Sequence, residues 1–342
     1  MAKVLVTGAA GFIGMHVVER LLKDGCAVTG VDNLNDYYDV SLKQSRLECL
    51  SKEAGFNFHR VDIADADVLM DVFEQTRPER VIHLAAQAGV RYSLEHPEAY
   101  VRSNLAGFAH VLEACRRNDV QHLLYASSSS VYGANKKVPF SESDSVDHPV
   151  SFYAATKKAN ELMAHSYAHL YGIPCTGLRF FTVYGPWGRP DMAYFSFTRD
   201  ILMGKPIRIF NHGEMARDFT FIDDIVDGVL RVLETPPVAD ADGARHAVFN
   251  IGNDHPVRLG DFVDTLESLL GVRAVREMCD MQPGDVVATH ADISSLRALG
   301  YHPATSLEDG LAVFVDWYRQ YYGCEKRGQF TFFPGEAGQR KK

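Results

Sequence analysis

The chain has 342 residues, 46% hydrophobic and 23% charged, which is globular rather than disordered in composition and long enough for a large core domain with a smaller companion. Its 35 lysines and arginines against 44 acidic residues leave a formal charge of −9, and the one basic cluster, Arg340, Lys341 and Lys342, reads as a solvated tail, so no nucleic-acid partner is expected. Six cysteines, Cys26, Cys49, Cys115, Cys175, Cys279 and Cys324, stand without C-x-x-C pairing, which argues against a metal centre or redox motif and for reduced, mostly buried thiols.

The chain opens on MAKVLVTG, which reads as a strand over residues 3–7 with no charged and apolar leader ahead of it. Apolar runs stay below the ~20 residues of a membrane helix. A cytoplasmic protein with no membrane partner is expected. Further strands are predicted over 27–32, 57–61, 81–84, 122–127 and 176–181, and helices over 13–24, 65–76, 97–118 and 151–171. Short apolar strands alternating with helices predict βαβ units, hence an α/β fold with a doubly wound parallel sheet.

After residue 181 the rhythm breaks at Gly185, Pro186, Gly188, Pro190, Gly204 and Pro206. A helix is predicted over 193–203, another over 219–233 and a strand over 248–251. The expected division is a cofactor domain over 1–181 plus about 219–251 and a smaller C-terminal α/β substrate-binding subdomain over about 182–218 and 252–322. Residues 323–342 form a tail to which no role is assigned.

Gly8, Gly11 and Gly14 stand in GAAGFIG, with Phe12 and Ile13, between the first strand and the first helix. Glycines there permit a tight turn, close approach of a pyrophosphate and close helix packing, while the helix N-terminus supplies free N–H groups. Asp32, followed by Asn33, ends the second strand, where a carboxylate accepts from the adenosine ribose hydroxyls and repels the extra phosphate of NADP. NAD is therefore the expected cofactor of a Rossmann-type domain. Position alone places Asp62 and Ile63 near the adenine, and Leu84, Ala85, Ala86 and Gln87 along the rest of the cofactor.

Tyr153 and Lys157 are four apart in YAATK on a predicted helix, so they share one face. A neighbouring ammonium and a positive nicotinamide are expected to bring a phenol, ordinarily near pKa ~10, toward use as a general base. The serine run Ser127 to Ser130 lies at the end of the preceding strand.

The glycine motif, YASSSSVYG, YAATK and RDFTFIDD together resemble the extended short-chain dehydrogenase/reductase family, and within it the NAD-dependent nucleotide-sugar epimerases. The resemblance runs in order to about residue 320. It implies that Ser128, Tyr153 and Lys157 form the catalytic triad. Tyr153 would take the proton of the sugar 4-OH while hydride leaves C4, and the 4-keto sugar would turn over before hydride returns to its other face. Lys157 would also bind the nicotinamide ribose, and Ser128 the reacting oxygen. Similar 4,6-dehydratases carry an Asp-Glu pair, and similar decarboxylases a Glu, where this chain has Ser129 and Ser130. Epimerisation is what this leaves.

By the same resemblance Arg217 binds the diphosphate, Asp285 the uridine ribose and Phe210 the uracil. Gln282 stands where epimerases of neutral UDP-sugars commonly have Arg, so Arg91 is a candidate to share the phosphate. The stretch RFFTVYGPWGRPDMAYF resembles the branch that acts on UDP-glucuronate, with Thr182 in place of Asn. A C4 ketone beside a C5-linked carboxylate loses carbon dioxide readily, and hydroxyls of Ser129, Ser130 and Thr182 could hold the carboxylate out of alignment, with Arg189 offering charge. The resemblance further implies a homodimer built from helices of the large domain. A UDP-glucose/UDP-galactose 4-epimerase and a non-catalytic NAD-binding regulator remain as alternatives.

Overall fold

A computed structural model describes residues 1–281 and 286–324. Among these described residues twelve strands follow in chain order: β1 (Lys3–Thr7), β2 (Ala27–Asp32), β3 (Phe56–Arg60), β4 (Arg80–His83), β5 (His122–Ser128), β6 (Cys175–Phe180), β7 (Thr182–Tyr184), β8 (Pro206–Phe210), β9 (Ala216–Phe221), β10 (His246–Ile251), β11 (Pro256–Arg258) and β12 (Val275–Cys279). Seven form one sheet in the order β10-β6-β5-β4-β1-β2-β3, every neighbouring pair parallel. The order reverses between β1 and β4, the switch point where open α/β sheets bind ligands at their carboxyl ends. Two small sheets, β11-β9-β7 and β12-β8, flank that end.

The central strands are apolar on both faces because helices cover both. In β1, Val4 and Val6 enter one hydrophobic layer and Leu5 the other, the alternation a strand imposes. Helices Phe12–Lys23 and Ile222–Leu233 pack together on the first layer, and Ala66–Thr76 and Phe108–Arg117 on the second.

The helix Phe152–Tyr171 begins at Ser151, whose hydroxyl accepts from Ala154 N at 3.1 Å, and ends at Gly172, which supplies a left-handed φ of +69°.

Two predicted elements differ from the expectation. The helix over 97–118 is interrupted: Pro97–Tyr100 leads into a π-helical stretch, Val101–Gly107, before Phe108–Arg117. The helix over 219–233 starts only at Ile222, because residues 219–221 complete β9 between β11 and β7. The cysteines are less buried than expected: all six are free thiols, but only Cys115, Cys175 and Cys324 are fully buried.

Candidate active site

A cleft of about 1070 Å³ lies at the carboxyl ends of β1, β2, β4 and β5. Every predicted site residue among the described ones lines it. Gln282 and Asp285 lie outside the described residues, as does the tail beyond residue 324.

The glycine turn is dictated by space. Gly8 has φ +72°, and a Cβ on it would lie 2.7 Å from Ala85 N, while one on Gly14 would lie 2.0 Å from Gly8 O. The helix that follows starts at Gly11 with no side-chain cap and no acidic residue in its first turn, so the positive end of its dipole faces the cleft at Phe12, Ile13 and Gly14. Asp32 is fixed beside this turn, Oδ2 accepting from Ala10 N at 3.1 Å and Oδ1 from Leu34 N at 2.8 Å, with Asn33 next to it on the wall. An uncapped helix start, a turn with glycine at its crowded positions 8, 11 and 14 and a fixed carboxylate fit a dinucleotide diphosphate and its ribose. Asp62 and Ile63 follow β3, and Arg102 Nη2 donates to Asp62 Oδ2 at 3.0 Å. Leu84 to Gln87 follow β4 directly.

Ser128 ends β5, and its hydroxyl accepts from Ser130 N at 3.2 Å, opening a short 3-10 turn that carries Ser129 and Ser130. Tyr153 and Lys157 stand one turn apart at the start of the helix Phe152–Tyr171. Lys157 is 2% exposed and donates to Ala126 O at 2.8 Å; burial pushes its ammonium down to about 8. Burial holds the Tyr153 phenol above the usual value, opposed by a hydrogen bond with Ser128 and the field of Arg189.

Also lining the cleft, Arg91 places its guanidinium 5.6 Å from the Phe210 ring centre. Arg217 donates to Ala216 O and Val287 O at 2.9 and 3.3 Å. Thr182 begins β7. Arg189 is paired with Asp191, Nε to Oδ1 at 3.0 Å and Nη2 to Oδ2 at 2.5 Å. The charge expected at Arg189 is therefore already compensated.

Sequence reasoning missed several contributors. Asn104, in the π-helical stretch, accepts from Gln87 N at 2.8 Å and donates to Gln87 O at 3.0 Å and Thr156 Oγ1 at 3.1 Å, clamping the end of β4 to the catalytic helix. Lys43 lines the cleft with its ammonium on Asn35 O and Oδ1 at 2.8 and 2.6 Å. Tyr100 sets its ring edge-on to Tyr153 at 6.1 Å. Their local sequence carries no motif; a polar residue on the buried side of a helix is the only signal.

Among the described residues no group of three or more His, Cys, Asp and Glu could hold a metal ion, and no helix is long and apolar enough to cross a membrane.

The profile of the "NAD dependent epimerase/dehydratase family" matches residues 4–252. The chain is 55% identical over 331 residues to UDP-glucuronate 4-epimerase 2 of Arabidopsis thaliana, covering 93% of this chain and 76% of that protein. Among solved structures it is similar to UDP-glucuronic acid 4-epimerase from Bacillus cereus, in complex with UDP-glucuronic acid and NAD, at 37% identity and a TM-score of 0.86 over 94% of this chain and 100% of that one. UDP-glucose 4-epimerase from Thermotoga maritima, with UDP-glucose, matches at 33% identity and a TM-score of 0.83, covering 93% and 99%.

Proposed function

The chain belongs to the NAD dependent epimerase/dehydratase family, and from that premise we propose that it interconverts UDP-glucuronate and UDP-galacturonate by inverting C4 through a 4-keto sugar. NAD, when bound, accepts and returns the C4 hydride and brings positive charge beside Tyr153. Gly8, Gly11, Phe12, Ile13 and Gly14 would hold its diphosphate, Asp32 and Asn33 the adenosine ribose, Asp62 and Ile63 the adenine, and Leu84 to Gln87 with Lys157 the nicotinamide half. Tyr153 takes the 4-OH proton and later gives it back, with Ser128 bonded to the reacting oxygen. Arg91, Arg217 and Phe210, with Gln282 and Asp285, would hold the UDP moiety.

The observation that carries this reading is the set of hydroxyls from Ser128, Ser129, Ser130 and Thr182 lining one cleft with Tyr153. No carboxylate stands at 129 or 130 to eliminate water or assist loss of carbon dioxide. These hydroxyls can hold a C5 carboxylate so that its C–C bond stays out of line with the C4 carbonyl. Thr182→Ala or Ser130→Ala should then release carbon dioxide and a UDP-4-keto-pentose from UDP-glucuronate; release no higher than in the unsubstituted enzyme would sink the idea. UDP-glucose/UDP-galactose 4-epimerisation is the second reading, favoured by the compensation of Arg189 by Asp191. Parallel incubations with UDP-glucuronate and UDP-glucose separate the two.

The proposal includes the division into a cofactor part and a substrate part set out above. It also includes a homodimer through helices of the large sheet, where Val101, Leu162, Leu170 and Tyr171 expose apolar surface. Light scattering tests the latter. Six free thiols suit a reducing, cytoplasmic setting.

A further inference from the structure

We propose that Asp191, steadied by Tyr37, sets how strongly this site prefers a uronate over a neutral hexose, by competing with the substrate carboxylate for the Arg189 guanidinium. The inference rests on the UDP-glucuronate reading above.

Arg189 and Asp191 line the same cleft as Tyr153 and Thr182, with side chains 25% and 30% exposed. Their two bonds, at 3.0 and 2.5 Å, occupy the Nε/Nη2 edge of the guanidinium, one of the two two-pronged edges with which arginine clasps a carboxylate. An incoming uronate therefore meets an arginine that already holds a carboxylate. It gains only the difference between the two partners, whereas a neutral hexose meets a neutral pair.

For Arg189 to turn toward substrate, Asp191 must keep a donor of its own. Tyr37 provides one, its hydroxyl donating to Asp191 Oδ2 at 3.2 Å. Tyr37 is itself held, its ring edge-on to Tyr92 at 4.8 Å and its hydroxyl in the space a side chain at Gly89, φ +102°, would fill. The loop bearing the pair is anchored independently of it. Arg46, fully buried, donates to Trp187 O at 2.6 Å and Gly188 O at 3.2 Å. The loop thus stays docked whichever carboxylate Arg189 takes.

The test uses the NAD-loaded full chain and compares dissociation constants for UDP-glucuronate and UDP-glucose. Asp191→Asn frees Arg189: UDP-glucuronate should bind about two- to fivefold tighter, with a steeper salt dependence, while UDP-glucose stays within about twofold. Tyr37→Phe leaves the Asp191 charge but removes a donor, so the carboxylate leans harder on Arg189. UDP-glucuronate should then bind about twofold weaker, again with UDP-glucose unmoved. A purely structural role would shift both ligands, and both variants, in the same direction; either result overturns the proposal. Because binding is compared, the outcome for Asp191 is read separately from the activity, which turnover by the unsubstituted enzyme tests.

Discussion

Lys157 sits where an ammonium is least at home. It is 2% exposed and has one carbonyl partner at 2.8 Å, and its folded value of about 8 lies below the 10.5 of a free lysine. The sign follows from which form the fold disfavours: protonated Lys157 is penalised in the folded chain and not in the unfolded one. The penalty is complete below pH 8, shrinks as pH rises toward 10.5 and is gone above it. Its size is on the order of 3 kcal/mol without cofactor. Lys157→Met should therefore abolish epimerisation yet raise the melting temperature of the cofactor-free protein at pH 7, with the gain fading by pH 10. Equal melting temperatures at pH 7 would show that the buried charge is solvated in a way the geometry does not suggest. This is the pattern of a site whose chemistry works against stability.

The helix Phe152–Tyr171 carries Tyr153 and Lys157 near its start, and a buried ion pair rivets it to the sheet two turns further on. Glu161 accepts from Arg179 Nε and Nη2, both at 2.9 Å, and from Ser127 Oγ at 2.7 Å. Arg179 continues to Tyr132 Oη at 3.0 Å, which donates to Asn250 Oδ1 at 2.6 Å, so β5, β6 and β10 are tied to one helix. Breaking one side of a buried pair strands the other charge. Glu161→Gln should therefore destabilise the protein by about 3 kcal/mol or more in denaturant unfolding, whereas Ser127→Ala, which leaves both arginine bonds intact, should cost about 1 kcal/mol. Similar losses for the two would mean that the charge is not what matters. Of these elements, β5, β6 and the helix were legible from apolar runs and helical spacing, but the ion pair was not, since its partners are 18 positions apart. Helix Val40–Leu50 escaped because Lys43 and Arg46 are among the residues on its buried face, which erases the apolar stripe. Strands β7 and β11 have three residues each, too short to show a period of two.

Across the whole molecule, the cofactor-side and sugar-side residues share one cleft although they span positions 8 to 217. The motif-bearing ones were legible because turn sterics, charge and helical spacing leave a mark in a few adjacent letters. Asn104 and the Arg189–Asp191 pair were not, because their meaning lies in what the fold brings opposite them. A reaction that removes hydride from C4 and returns it to C4 has no net oxidation, so nothing obliges the cofactor to leave between turnovers. A closed glycine turn, an uncapped helix start and a fixed Asp32 then favour retention. The protein should emerge from desalting with close to one NAD per chain, measured in the supernatant after acid denaturation, and should epimerise without added NAD. Ligands that bind only the folded state add RT ln(1 + [L]/Kd), about 2.7 kcal/mol at a hundredfold excess over Kd, so saturating UDP-sugar should raise the melting temperature of the NAD-loaded form further. Activity that vanishes on desalting and returns in proportion to added NAD would instead mark a cofactor held loosely and reloaded from solution, and would overturn the expectation that the glycine turn and Asp32 retain it between turnovers.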